Sequence, residues 1–325
     1  MTDKLEQGEQ AISEGLNTIS ALGQALIKEN RSARRWKNVR RILFWLVMLA
    51  IFVLPYVADK QLGGMSVVAS AKPHAAVITM EGLVMPGGEI DADKMVDSLQ
   101  SAFSAPQSRA IILQINSPGG SPVQAERIYN EIVRLRAEYP DKKVIAVIED
   151  IGASAAYYIA AAADEIVASK ASLVGSIGVI INGFGAVDAM KSLGIERRLI
   201  TAGDNKAMLD PFLPKDEVQE AYMQRIVDQI HTQFIDAVKN GRGERLSDRA
   251  DIFSGLVWNG EEAKALGLVD HIGSMGYTLR EILEIDEQID YTPQADWLET
   301  FSKQIGASMG AAADRLMLKQ GLSVQ

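Results

Sequence analysis

Apolar residues change their spacing several times along this chain, and each change marks an element. Over residues 1 to 30, Ile12, Leu16, Ile19, Leu22 and Leu26 recur every three or four positions in polar surroundings. That is an amphipathic helix suited to a partner or a membrane surface rather than to a core. Ile42 to Ala58 is apolar and uncharged on every side, and at ~1.5 Å rise per residue it spans ~26 Å, nearly a bilayer core. From Ala75 onward, short apolar runs alternate with amphipathic stretches. Ala76 to Met80 predicts a strand, followed by a turn at Pro86-Gly87-Gly88 and a short helix over Met95 to Phe103. Ala110 to Ile115 predicts a buried strand ending in a turn over Asn116 to Pro122. Ser121 as N-cap and Pro122 at the first helical position then start a helix reaching about Glu138. Its residues Ile128, Ile132 and Leu135 share one face. Val144 to Ile148 predicts the next strand, and the alanine-rich stretch after Gly152 the next helix. A tight turn over Gly175 to Gly178 leads to an expected strand at Val179 to Asn182. Two strand–glycine-turn–helix units in succession imply parallel strands joined by crossover helices.

Charge refines the N-terminal reading. Arg31, Arg34, Arg35, Lys37, Arg40 and Arg41 flank the apolar run with no acid among them. Positive residues stay on the cytoplasmic side, so the run is expected to be a single transmembrane helix with its N-terminus inside and the rest of the chain outside the cytoplasm. A cleaved signal peptide would not carry over forty residues before its apolar core, and Ala69-Ser70-Ala71 lies too far downstream to be its cleavage site. The expected organisation is a cytoplasmic amphipathic and basic segment at 1–41, the membrane helix at 42–58 and a small-residue linker at 59–74. An α/β domain at 75–290 and a C-terminal amphipathic tail at 291–325 complete it.

Composition narrows the chemistry. The 325-residue chain carries a net charge of −9, which argues against a nucleic-acid partner. It has no cysteine, which excludes disulfides, thiolate metal sites and a cysteine nucleophile. Its three histidines, His74, His231 and His271, are scattered without metal-binding spacing. No metal or other cofactor is expected, and no phosphate-binding glycine loop is present.

One hydroxyl is a candidate nucleophile. Ser154 lies where the strand at 144–148 hands over to a helix, among the small residues Gly152, Ala153, Ala155 and Ala156. A sharp strand-to-helix turn there would lift its hydroxyl out of the sheet, beside the free N–H groups of the helix. A serine at that position could equally act as a simple N-cap. In a parallel sheet the Ser117-Pro118-Gly119-Gly120 turn would emerge at the same edge. Gly119, Gly120 and the Ala155 amide could then form an oxyanion hole. A nucleophilic serine needs a base, and no histidine is convincingly placed. A lysine can serve if burial keeps it neutral. Lys206, in a loop between apolar elements, is the candidate, although loop lysines are most often solvated.

Four ordered segments bear on these alternatives: Ile115–Ser121 (INSPGGS), Gly152–Tyr158 (GASAAYY), Val174–Ile180 (VGSIGVI) and Trp258–Asp270 (WNGEEAKALGLVD). Together they resemble the short-chain signal peptide peptidases (SppA-like) of serine peptidase family S49, over about Val77 to Leu283. The resemblance implies a ClpP/crotonase-like α/β fold of parallel sheets with crossover helices. It implies a membrane-anchored Ser/Lys peptidase with Ser154 as nucleophile, Lys206 as general base and Ser176 orienting the lysine amine. Gly119, Gly120 and the Ala155 amide would form the oxyanion region. Its substrates would be unstructured apolar peptides, above all remnant signal peptides at the inner membrane. Its assembly would be a homo-oligomeric ring in which neighbouring protomers complete each active site. The chain departs from the family at Ala155-Ala156, where Gly-Gly is usual, and an added Cβ is tolerated only where φ is negative. A catalytically inactive membrane scaffold and a crotonase-type acyl-CoA enzyme are the alternatives.

Overall fold

The strands alternate buried residues between two faces, and the chain covers both. The computed structural model describes residues 40–49 and 72–293. Residues 40–49 are helical (α1), with the apolar side chains of Ile42, Leu43, Phe44 and Trp45 all exposed. Among the described residues no helix is long and apolar enough to cross a membrane. The expected span at 42–58 is helical as far as residue 49, and its remainder lies outside the described residues, as do residues 1–39 and 294–325.

From His74 the elements run β1 (His74–Val84), α2 (Ala92–Ser104), β2 (Ser108–Gly120), α3 (Pro122–Glu138), β3 (Lys143–Ala153) and α4 (Ala155–Ala160). After them come β4 (Glu165–Ala168), β5 (Leu173–Gly175), α5 (Val187–Ser192), α6 (Glu217–Arg242), β6 (Val257–Asn259), α7 (Gly260–Ala265), β7 (His271–Ile272) and β8 (Gln288–Asp290). They form one eight-stranded sheet ordered β6-β5-β3-β2-β1-β8, with β4 beside β3 and β7 beside β4. All pairings are parallel except β5 with β6. This is the expected α/β sheet with crossover helices.

Period-two alternation explains the two layers. Ala76, Ile78, Ile111, Leu113, Val144 and Ala146 join the main core with Leu99 and Phe103 of α2, Ile128 and Ile132 of α3, and Phe234 and Val238 of α6. Their neighbours Ala75, Val77, Ile112, Ile145 and Val147 face the other way, against Met275, Leu279 and Ile282. Helix α3 begins as the sequence implied. Pro122 opens it and the Ser121 hydroxyl caps the Gln124 amide.

Two expectations are corrected, and one element is new. Asn116 to Gly120 continues β2 instead of turning, because Leu83 and Val84 of β1 pair with Gly119 and Gly120. Val179 to Asn182 is not a strand: it has no pairing partner, and Ile180 is 82% exposed. The 26-residue α6 was not foreseen at all, although Asp216 caps it through the Val218 and Gln219 amides.

Candidate active site

Ser154 sits at the junction of β3 and α4, with φ +53° and ψ −125°. A non-glycine residue there is strained by about 1–3 kcal/mol, and such strain persists only when the surroundings impose it. Two hydrogen bonds impose it: the Ser154 N–H donates to the Gly175 carbonyl (2.8 Å), and the Ser154 carbonyl accepts from Tyr158 N–H (2.9 Å). The hydroxyl makes no capping bond. The N-cap alternative therefore fails on geometry, since the one group a capping serine uses is left for something else.

Two glycines give that hydroxyl its room. Gly119 has φ +107°, and a Cβ on it would lie 2.7 Å from Ser154 Cβ and 2.9 Å from the Ala155 nitrogen. A Cβ on Gly120 (φ +151°) would meet the Val84 carbonyl oxygen at 2.2 Å. The Gly119 N–H donates to the Ser117 hydroxyl (3.2 Å), so Gly119 contributes mainly space. Ser121 N–H donates to the Val84 carbonyl (2.7 Å). Amides alternate in direction along a parallel ladder, so the Gly120 N–H points away from β1. Ala155 and Ala156 do not have positive φ, so the methyl groups that replace the usual Gly-Gly fit the helical backbone without strain.

A cavity of about 120 Å³ opens beside the serine, lined among others by Gly120, Ser154, Ala155, Tyr158, Gly178 and Phe234. The Tyr158 ring packs edge-on to Tyr129 (centroids 5.3 Å apart) and stacks on Phe234 (4.9 Å). Its hydroxyl pKa is pushed up to about 12, first by burial and then by the Glu126 carboxylate. Helix α6 closes one wall and is itself locked in place. Arg242, with its side chain fully buried, makes two 2.8 Å bonds to the Asp270 carboxylate. His231 Nε2–H donates to the Ile177 carbonyl (3.0 Å), holding the Ser176–Gly178 turn against the helix. The sequence reading missed this bond because it missed α6; the cap at Asp216 and the apolar series Ile226, Ile230, Phe234 and Val238 were the signals available.

Ser176 is brought close to Ser154: it follows the Gly175 whose carbonyl holds the Ser154 amide, and it too has positive φ, +52°. Lys206 makes no hydrogen bond to either serine and does not line the cavity beside Ser154. It lies exposed in a turn closed by its own N–H to the Gly203 carbonyl (3.1 Å), and its amine has no ion-pair or hydrogen-bond partner among the described residues. In the same stretch of chain, 179–213, Ile200 is 99% exposed, Phe184 74% and Leu193 73%. The single chain thus constrains Ser154 closely and leaves Lys206 in solvent.

Residues 136–289 match the model of Peptidase family S49, a stretch that holds Ser154, Ser176 and Lys206. Over that stretch the chain is similar to peptidase family S49. Among curated proteins it is 42% identical to a Na(+)/H(+) antiporter NhaA of Brucella melitensis over 63% of this chain and 28% of that protein. It is 31% identical to a putative protease of Methanocaldococcus jannaschii, over 62% of this chain and 64% of the relative. Against Protease 4 of Salmonella typhi it is 32% identical, over 65% of this chain and 34% of the relative. The chain spans less than two thirds of the length of each of these relatives. The S49 match agrees with the resemblance read from the four segments.

Proposed function

We propose that this protein is a membrane-anchored serine endopeptidase that cleaves apolar, unstructured peptides, remnant signal peptides among them, by a Ser154/Lys206 dyad. The observation that carries the proposal is Ser154 itself: strained, uncapped, half-buried and facing an apolar cavity within the stretch similar to family S49. The exposed apolar helix at 40–49, behind its basic flank, supports anchoring in the inner membrane with the peptidase domain outside the cytoplasm.

The reaction is acyl transfer. Ser154 Oγ attacks the peptide carbonyl carbon as its proton passes to neutral Lys206 Nζ. The Gly120 and Ala155 amides hold the resulting oxyanion. The C–N bond then breaks as Lys206 returns the proton to the leaving amine. Water, losing a proton to Lys206, attacks the acyl-serine and frees the new carboxylate and the Ser154 hydroxyl. No metal or nucleotide takes part. Ser176 orients the lysine amine.

A lysine acts as a base only when desolvated, and Lys206 is exposed in the single chain. The exposed apolar surface at Phe184, Leu193 and Ile200 supports the remaining element, a homo-oligomeric ring in which Lys206 reaches the Ser154 of the neighbouring copy. Mixed assemblies test it. Ser154→Ala and Lys206→Ala chains, each inactive alone, should recover about a quarter of wild-type activity when co-assembled one to one, because a head-to-tail interface restores one site type in four. No recovery would place both groups on one chain. Fluorophosphonate labelling that disappears in Ser154→Ala separates the peptidase from an inactive scaffold and from an acyl-CoA enzyme.

A further inference from the structure

The cavity beside Ser154 has apolar walls and one acidic side chain in its lining. Pro122 and Val123 at the start of α3, with Ile230 and Phe234 of α6, supply the walls. The polar side chains of the lining are Glu126, one turn along α3, Gln233 of α6 and Tyr158, with Ser154 itself. Glu126 lines the cavity, is exposed to solvent, and has no hydrogen-bond or ion-pair partner among the described residues. This is unlike the other acids of α3, since Glu131 and Glu138 are both engaged by Arg134. The Tyr158 hydroxyl feels both the Glu126 and the Asp236 carboxylates, which add to burial in raising its pKa.

Gly120 and Ala155, whose amides would receive the oxyanion, line the same cavity. The side chain nearest to them belongs to the residue that contributes the attacked carbonyl, because its Cα is bonded to that carbon. A cavity lined by apolar side chains and one unpaired carboxylate fits a long aliphatic stem with a cation at its tip. We propose that Glu126 makes this cavity selective for lysine or arginine on the acyl side of the cleaved bond, alongside plain aliphatic residues of similar length. The proposal rests on the peptidase reading above and deepens it: apolar peptides would be cut after an interrupting basic residue as readily as after an aliphatic one, and poorly after an acidic one.

The test uses the full-length protein in detergent and acyl-tripeptide coumarin amides that differ only in the residue before the coumarin: Leu, Met, Lys or Glu. Wild type should cleave the Lys and Leu substrates with comparable kcat/KM and the Glu substrate far more slowly. Glu126→Gln should lower the Lys-to-Leu ratio of kcat/KM roughly tenfold, the loss of one partly solvated charge-assisted contact. Glu126→Lys should raise the Glu-to-Leu ratio. Glu138→Gln, the same charge change at the far end of α3, should move neither ratio. If wild type cleaves Leu but not Lys, or if both Glu126 variants shift their ratios by less than about twofold, the cavity is not read by Glu126 and the peptidase reading stands. If no substrate is cleaved and Ser154 takes no fluorophosphonate, the peptidase reading fails and this inference falls with it.

Discussion

The serine half and the lysine half of the proposed site are built in opposite ways. Around Ser154 nearly everything is buried and hydrogen-bonded: the amide to Gly175, the carbonyl to Tyr158, and Gly119 packed against its Cβ position. Along the stretch that holds Lys206 the chain pairs little, and Ile180, Phe184, Leu193 and Ile200 stand in solvent. A single fold can hold a strained nucleophile only by over-determining it. It can leave a base unfinished if another copy supplies the desolvation. On the proposed reading, activity is therefore a property of the assembly, while the nucleophile's geometry is a property of the chain.

The largest effects come from removing the two reacting groups. Ser154→Ala and Lys206→Ala should each lower kcat/KM by roughly 10⁴-fold or more, and the double variant should be no worse than either, because the two act as one unit. Thermal melts of the single variants should match wild type or, for Ser154, change only slightly. Substantial turnover by Lys206→Ala would give the base role to another residue and dissolve the contrast between the halves.

The rigidity of the serine half can be broken from behind. Arg242 and Asp270 tie α6 to the end of the α7 segment, with Arg242 also donating to the Gly267 carbonyl (2.9 Å). Burial pulls the Asp270 carboxyl upward, but the hydrogen bonds and charge of Arg242 outweigh it and hold its pKa below the usual 3.8. A depressed folded pKa contributes stability above the unfolded value that is lost as pH falls through the folded one. Arg242→Met should cost about 3–5 kcal/mol at pH 7, nearer the lower figure because a second cation, Arg245, remains at 3.3 Å. With its main partner gone, burial dominates Asp270. The stability gap between variant and wild type should then narrow below about pH 4. Chemical denaturation at pH 7 and pH 3.5 checks both statements; a gap that is constant with pH would mean the charge pair is not the source.

Much of this was legible from spacing. The strand cores, the cap at Ser121 with Pro122 behind it, and the strand-to-helix position of Ser154 all follow from local pattern, because neighbours in sequence dictate them. Gly119 and Gly120 were marked as special, yet they were read as a turn. Only the pairing with β1 shows them as strand residues whose missing Cβ atoms make way for Ser154 and Val84. Helix α6 escaped because much of its surface is polar and few of its residues reach the core, Phe234, Ala237 and Val238 among them. The strand expected at Val179 failed for a tertiary reason: among the described residues no strand pairs with it, and Ile180 and Ile181 stand exposed. The cavity and its acidic side chain join α3, α4 and α6, so no local window could reveal them.

Gly119→Ala attacks the cradle at its narrowest point. The new methyl would sit 2.7 Å from Ser154 Cβ and 2.9 Å from the Ala155 nitrogen, so either the nucleophile or an oxyanion donor must move. Loss of one such donor typically costs 10²–10³ in kcat, about 2.7–4 kcal/mol. The expected result is that drop in kcat with residual fluorophosphonate labelling, since the hydroxyl survives. Gly120→Ala makes the informative contrast. Its methyl would strike the Val84 backbone, not the site, and should appear first as lost thermal stability.

Ser176 is the mildest case and the one that meets both halves. It adjoins the carbonyl that holds Ser154, and on the proposed reading its hydroxyl orients the amine of Lys206. One orienting hydrogen bond is worth about 1–2 kcal/mol, so Ser176→Ala should slow kcat roughly tenfold to thirtyfold. Its backbone adds a complication, because φ is +52° and alanine tolerates that region poorly. Glycine tolerates it freely. Ser176→Gly removes the same hydroxyl without the backbone penalty, although it gains freedom in the unfolded chain. If the hydroxyl matters, both variants should lose activity to a similar degree. Their melting temperatures should meanwhile differ by the equivalent of less than about 1 kcal/mol. Full activity in Ser176→Gly with a slow Ser176→Ala would show that backbone shape, not the hydroxyl, is what position 176 contributes.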